Sequence, residues 1–172
     1  MAAAQKGDVR HVVRRDLLGV RFCNVSDTVG MPNDPNDPYA NRLVDRNVFG
    51  EDLAMCGIDP VTGFYRDGCC STGPEDMGSH TLCGVMSKEF LDHQRSIGND
   101  LSTPMPHYRF PGLVPGDRWC VTARNWLRAH HDGAACPVVL DATHERVLDI
   151  IPLEILRNYA VDVPPDLGAL SD

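Results

Sequence analysis

The stretch "HTLCGVMSKEFLDHQRSIG", His80 to Gly98, decides how this chain folds. Its first part, His80 to Met86, is an apolar run of the length expected for a buried strand. Ser87 then stands where an N-cap is needed, and Met86 and Leu91 occupy the two positions of a hydrophobic staple. Phe90, Leu91 and Ile97 continue on helical spacing, and Gly98 supplies the stop. A strand that leads straight into a capped helix predicts a mixed chain.

The flanking segments extend the same pattern. Upstream, "NVFGEDL" reads as a short first strand. Downstream, Asn99 to Gly116 carries Pro104, Pro106, Pro111 and Pro115 and reads as loop. "VPGD" fits a tight turn, with proline second and glycine third. Asp117 is expected to cap a second helix that places Trp119, Ala123, Trp126, Leu127 and His130 on one face and ends at Gly133. "CPVVLDAT" and "VLDII" read as strands, and Pro152 opens a last helix, "PLEILRNYA". The strands and helices lack the regular alternation of a wound parallel sheet, so the predicted class is α+β: short strands, about three helices and long Gly/Pro-rich loops.

A chain of 172 residues suits one domain with a real core. That domain is placed at 47–163, followed by a tail at 164–172. Residues 1–46 form a basic arm and a linker. The arm (1–21) carries Lys6, Arg10, Arg14, Arg15 and Arg21 against Asp8 and Asp16. Val9, Val12, Val13, Leu17 and Val20 give it an amphipathic pattern that reads as a local helix or a disordered arm. Mitochondrial targeting is the alternative, weakened by the two acids. "MPNDPNDPYANR", Met31 to Arg42, cannot sustain a helix or a central strand and reads as a linker or an extended arm lying on the domain.

A net charge of −8 argues against nucleic acid as the partner, because phosphate binding needs a basic surface. No apolar run approaches the roughly 20 residues that span a bilayer, so no membrane partner is expected. Arg14 and Arg15 interrupt any secretory h-region. With seven cysteines, an odd number, the expectation is a cytoplasmic protein with free thiols.

Chemistry-bearing residues concentrate in "GFYRDGCCSTGPEDMGSH", Gly63 to His80, a loop without hydrophobic periodicity. Two functional readings compete here with a purely structural one. Cys69 or Cys70 could act as a thiol nucleophile, its pKa lowered by Arg66 or His80, with Glu75 or Asp76 orienting the histidine. A zinc site would draw on Cys56, one of Cys69 and Cys70, His80 and Cys83. The spacing contains no Cys-x-x-Cys pair, and no metal is favoured. In the structural reading, Gly63, Gly68, Gly73 and Gly78 permit reversals of direction. Arg66 pairs with Asp67, Glu75 or Asp76, and the loop is a lid or plug.

Facing this loop, "GNDLSTP" brings Asp100 to the opposite wall of a pocket, and Arg66 and Arg118 are expected to anchor a small polar or anionic ligand. His80 then serves as acid or base. "THERVLD" reads as a turn, and His130 and His131 as partners of a helix dipole. The competing class is an interaction module whose cysteines are structural. These residues leave enzymatic turnover, the cofactor, the oligomeric state and the substrate open.

The ordered motifs "DPVTGFYRDGCCSTGPEDMGSHTLC", "GNDLSTP", "FPGLVPGDRWC" and "PVVLDATHERVLDIIPLEIL" resemble a small family known only as a domain of unknown function, DUF2237, found in bacteria and some eukaryotes. The resemblance runs from about Asn47 to Ala160. It implies a single domain and draws notice to Arg66, Asp67, Cys69, Cys70, Glu75, Asp76, His80 and Asp100, without implying a catalytic role for any of them.

Overall fold

A computed structural model describes residues 19, 21–23 and 45–162. Most of the arm, the Pro/Asn-rich linker and the C-terminal tail lie outside the described residues. Two short strands, β1 (Leu82–Val85) and β2 (Arg118–Val121), form an antiparallel ribbon in which Leu82 faces Val121 and Cys83 faces Cys120. Helices α1 (Lys88–Ser96), α2 (Ala123–His131) and α3 (Leu153–Arg157) complete a small α+β domain, with 3-10 turns at Pro106–Tyr108, Leu140–Ala142 and Glu145–Asp149.

The decisive stretch folds as its pattern dictates. The Ser87 hydroxyl accepts from the Phe90 N–H at 3.1 Å, and Gly98 leaves the helix at φ +86°. Gly133 ends α2 at φ +74°, a left-handed conformation that glycine adopts without steric cost. Pro152 stands at the N-cap of α3.

Four expectations are corrected. Asp117 caps no helix: its carboxylate accepts from the Val114 N–H at 2.9 Å and closes the "VPGD" turn, after which Arg118 to Val121 pair with β1. The helix starts five residues later than that cap requires, and Trp119 belongs to a strand. Long-range pairing overrides a helical spacing that Trp119 happens to share. "CPVVLDAT" runs beside β1, with the Val85 N–H on the Pro137 carbonyl at 2.8 Å and the Val139 N–H on the Cys83 carbonyl at 2.9 Å. It bridges only at Val138 before turning at Leu140, because Pro137 has no N–H to extend the ladder. "VLDII" is mostly 3-10 turn. "NVFGEDL" likewise forms a tight reversal, with the Asn47 carboxamide oxygen accepting from the Phe49 and Glu51 N–H groups.

The ribbon separates two cores. Strand alternation sends Leu82, Trp119 and Val121 into the larger cluster, with Phe90, Leu113, Trp126, Leu140, Val147, Ile151 and Leu156. Cys83 and Cys120 point the other way, into a smaller cluster with Ala54, Cys56, Cys70, Val139 and Ala142. Burial on both faces is why β1 reads as a near-continuous apolar run. Trp126 anchors the larger core, its indole N–H on the Cys136 carbonyl at 3.0 Å and its ring edge-on to Tyr159.

Arg21 to Cys23 lie against the domain. The Met55 N–H donates to the Arg21 carbonyl at 2.7 Å, and the Cys23 N–H donates to the Leu53 carbonyl at 2.9 Å. Among the described residues, no helix is long and apolar enough to cross a membrane.

Candidate functional site

The Gly63–His80 loop and the Asn99–Phe110 loop wall a cleft of about 300 Å³. Arg66, His80 and Asp100 reach it, together with Phe64, Tyr108 and Trp119. Two glycines shape its walls. A Cβ on Gly63 (φ +96°) would collide with the Cys69 carbonyl oxygen, and one on Gly112 (φ +78°) with the Ser102 carbonyl oxygen. Each wall therefore turns where only glycine fits.

His80 is the best-supported polar group of the cleft. Its ring Nδ1 lies 2.7 Å from Asp76 Oδ1, and its backbone N–H donates to Asp76 Oδ2, also at 2.7 Å. The Thr72 hydroxyl donates to Oδ2 as well, at 3.0 Å. The Asp76 side chain is fully shielded from solvent, whereas a third of the His80 side chain is exposed. Burial pushes the Asp76 carboxyl up, but the hydrogen bonds from the His80 ring and backbone and from Thr72 outweigh it, so the net shift is downward. An ionised Asp76 holds the proton on Nδ1 and leaves Nε2 as the ring's free nitrogen.

Arg66 adopts a left-handed backbone (φ +57°), which is sterically costly for a residue with a Cβ. Its guanidinium lies 4.9 Å from the centroid of the Trp119 ring, a cation–π arrangement, and one nitrogen donates to the Val61 carbonyl at 3.3 Å. Arg66 thus places a cation on an aromatic platform within the cleft rather than neutralising Asp67, Glu75 or Asp76.

The remaining residues singled out in the sequence serve other ends. Asp67 accepts from the Cys69 N–H at 3.0 Å, and Glu75 accepts from the Tyr65 hydroxyl at 2.6 Å. Asp100 accepts from the Thr103 hydroxyl at 2.6 Å and from the Ser102 and Thr103 N–H groups. Those bonds, led by the Thr103 hydroxyl, hold its pKa down to about 2, and the carboxylate serves to brace its own loop. Arg118 does not join the cleft lining; it is exposed, two residues before Cys120 on β2. His144 caps a turn by accepting from the Arg146 N–H, and His130 bonds the Tyr159 hydroxyl, both consistent with local structural roles.

The cysteines depart most from expectation. Six of the seven form disulfides: Cys23–Cys69, Cys56–Cys83 and Cys70–Cys120. In this state Cys69 and Cys70 offer no thiolate, so the nucleophile expected of them is not present. Cys136 is the remaining free cysteine; it is buried, and burial pushes its thiol up to about 12, where it stays protonated and inert. Of the expected zinc set, the sulfurs of Cys56, Cys70 and Cys83 do converge, within 4.8 Å of one another, but His80 lies outside the group. The free thiols expected of these six cysteines are therefore paired.

The residues that sequence reasoning missed are the aromatic wall and Cys120. Phe64 and Tyr108 stand in loops otherwise rich in Gly, Pro and charge, and that contrast is the available signal. Trp119 and Cys120 gave none, because their roles depend on the β1–β2 register.

No curated protein matches the chain. The family model described as "uncharacterized protein conserved in bacteria" matches residues 46–160, which span the cleft, the ribbon and both cores. The chain belongs to this family, DUF2237.

Proposed function

We propose that the cleft binds a small molecule with an anionic group and an apolar or planar body, and that His80 exchanges a proton with it. The observation that carries this reading is the shielded Asp76 carboxyl group 2.7 Å from Nδ1 of a partly exposed histidine in the cleft lining. A histidine oriented by a buried carboxylate is the arrangement that general acid–base chemistry uses. Arg66 supports the anionic half of the reading: its guanidinium is weakly hydrated and set on Trp119, ready for a carboxylate or phosphate. Phe64, Tyr108 and Trp119 supply the apolar surface.

The test is an NMR titration of the isotope-labelled chain with a panel of aromatic and aliphatic carboxylates and phosphate monoesters. The expected result is saturable shifts confined to Phe64, Arg66, His80 and Tyr108, with Arg66→Ala weakening the best binder at least about tenfold. If no panel member moves these resonances, or if Arg66→Ala binds as well as the parent, the proposal fails.

One observation favours a second reading. All three disulfides close around the Gly63–His80 loop or the ribbon beneath it, which suits an interaction module whose cysteines are structural. A silent ligand panel together with unfolding on reduction supports that module over the binding cleft.

A further inference from the structure

Cys83 and Cys120 face one another across the β1–β2 ribbon, yet they are not bonded to each other. Each is paired instead with a loop cysteine, Cys83 with Cys56 and Cys120 with Cys70. Two disulfides therefore lie against one another in one dry cluster, with all four cysteines at most 2% exposed. Three of the four sulfurs lie within 4.8 Å of one another, and the fourth is bonded to Cys70.

Three of the four sulfurs thus approach the spacing of a tetrathiolate metal centre, with Cys120 outside that group while it is bonded to Cys70. Tetrahedral zinc at roughly 2.3 Å from each sulfur sets its ligands about 3.8 Å apart. The Cα separations of 5.7 and 5.3 Å between the bonded partners leave room for opened side chains to turn toward a shared metal. The backbone beneath is held independently of the sulfur bonds. The Cys83 N–H donates to the Thr143 hydroxyl at 3.1 Å, the Cys120 N–H to the Thr62 hydroxyl at 2.7 Å and the Cys56 N–H to the Gly68 carbonyl at 2.9 Å. Thr143 is itself locked by donating to the Val139 carbonyl at 2.8 Å. These bonds fix the backbone positions of three of the four cysteines whatever the state of their sulfurs.

We propose that Cys56, Cys70, Cys83 and Cys120 form a zinc site when the two disulfides are reduced. Two equivalents of a dithiol reductant supply the four electrons and four protons that convert both disulfides to four thiols, each dithiol leaving as its own disulfide. Zinc then displaces the four thiol protons and is held by four thiolates. The site replaces the expected His80 with Cys120, which only the strand register reveals. It is independent of the ligand reading of the cleft. A four-sulfur tetrahedral set selects zinc over the harder divalent ions.

The experiment is an anaerobic cobalt(II) titration of the full chain, reduced with dithiothreitol and freed of it, followed by displacement with zinc. The expected result is one cobalt per chain with the visible ligand-field bands and thiolate charge-transfer absorption of a tetrahedral tetrathiolate, and four protons released. The Cys23→Ser/Cys69→Ser double variant and His80→Ala bind as the parent does, whereas Cys120→Ser weakens binding at least about 100-fold. Because Cys120→Ser could fail to fold, alkylation of the reduced parent under mild denaturant, with and without zinc, provides a second measure: zinc slows labelling of Cys56, Cys70, Cys83 and Cys120 and leaves Cys23 and Cys69 unchanged. Absence of metal uptake, a spectrum with fewer than four thiolates, or equal labelling of all six cysteines with zinc present overturns the site.

Discussion

Replacing Asp76 tests the histidine pair most directly. Asp76→Ala removes an acceptor that serves three donors: the His80 ring at 2.7 Å, the His80 N–H at 2.7 Å and the Thr72 hydroxyl at 3.0 Å. Hydrogen bonds to a charged acceptor contribute about 1.5–3 kcal/mol each, but bonds converging on one group are not additive, and half-exposed donors recover water. The expected loss is therefore about 3 kcal/mol. Asp76→Asn keeps the volume, and its carboxamide oxygen still serves the His80 N–H. Its NH₂ then meets Nδ1, so the ring moves its proton to Nε2 and the cost falls to about 1–2 kcal/mol.

The pH dependence follows from the direction of the shift. The folded Asp76 carboxyl titrates below its ordinary value of 3.8, so the unfolded chain takes up its proton first as pH falls. The stability contributed by Asp76 is thus fully present above that value and is lost as pH drops through the lower folded one. Urea unfolding followed by tryptophan fluorescence, from neutral pH to below 4, measures the difference between parent and Asp76→Ala. Long-range ¹⁵N–¹H spectra of the imidazole report the tautomer. A loss under about 0.5 kcal/mol at neutral pH, or an Asp76→Asn protein that keeps the proton on Nδ1, refutes the reasoning.

Three further outcomes are expected. Gly63→Ala, with φ +96° and a Cβ driven into the Cys69 carbonyl, costs about 2–3 kcal/mol in the same unfolding assay; a neutral effect contradicts the tight turn in that wall. Removing the Cys23–Cys69 link with the double serine variant frees partners 46 residues apart and lowers stability by about 2–4 kcal/mol, and a loss below about 1 kcal/mol shows that the link is not formed in solution. Alkylation of the oxidised protein, read by intact mass, labels no cysteine in the native state and Cys136 alone after denaturation without reductant; rapid native labelling at any cysteine contradicts the pairing scheme.

Features set by neighbouring residues could be read from the chain alone. Ser87 caps α1 because its hydroxyl reaches an N–H three residues on, and Gly98 and Gly133 stop their helices because the left-handed turn is nearly free for glycine. The two cleft loops were legible as loops for the same reason, from their proline, glycine and polar content. What needed the tertiary structure is separated in sequence. The strand at Arg118–Val121 exists because β1 lies beside it, and the aromatic platform under Arg66 exists because that strand turns Trp119 toward the cleft. The disulfides join residues 27, 46 and 50 positions apart, and no spacing along the chain distinguishes those partners from others. Local conformation follows from steric and hydrogen-bonding forces acting within a few residues, whereas pairing across the fold follows from which surfaces are buried together.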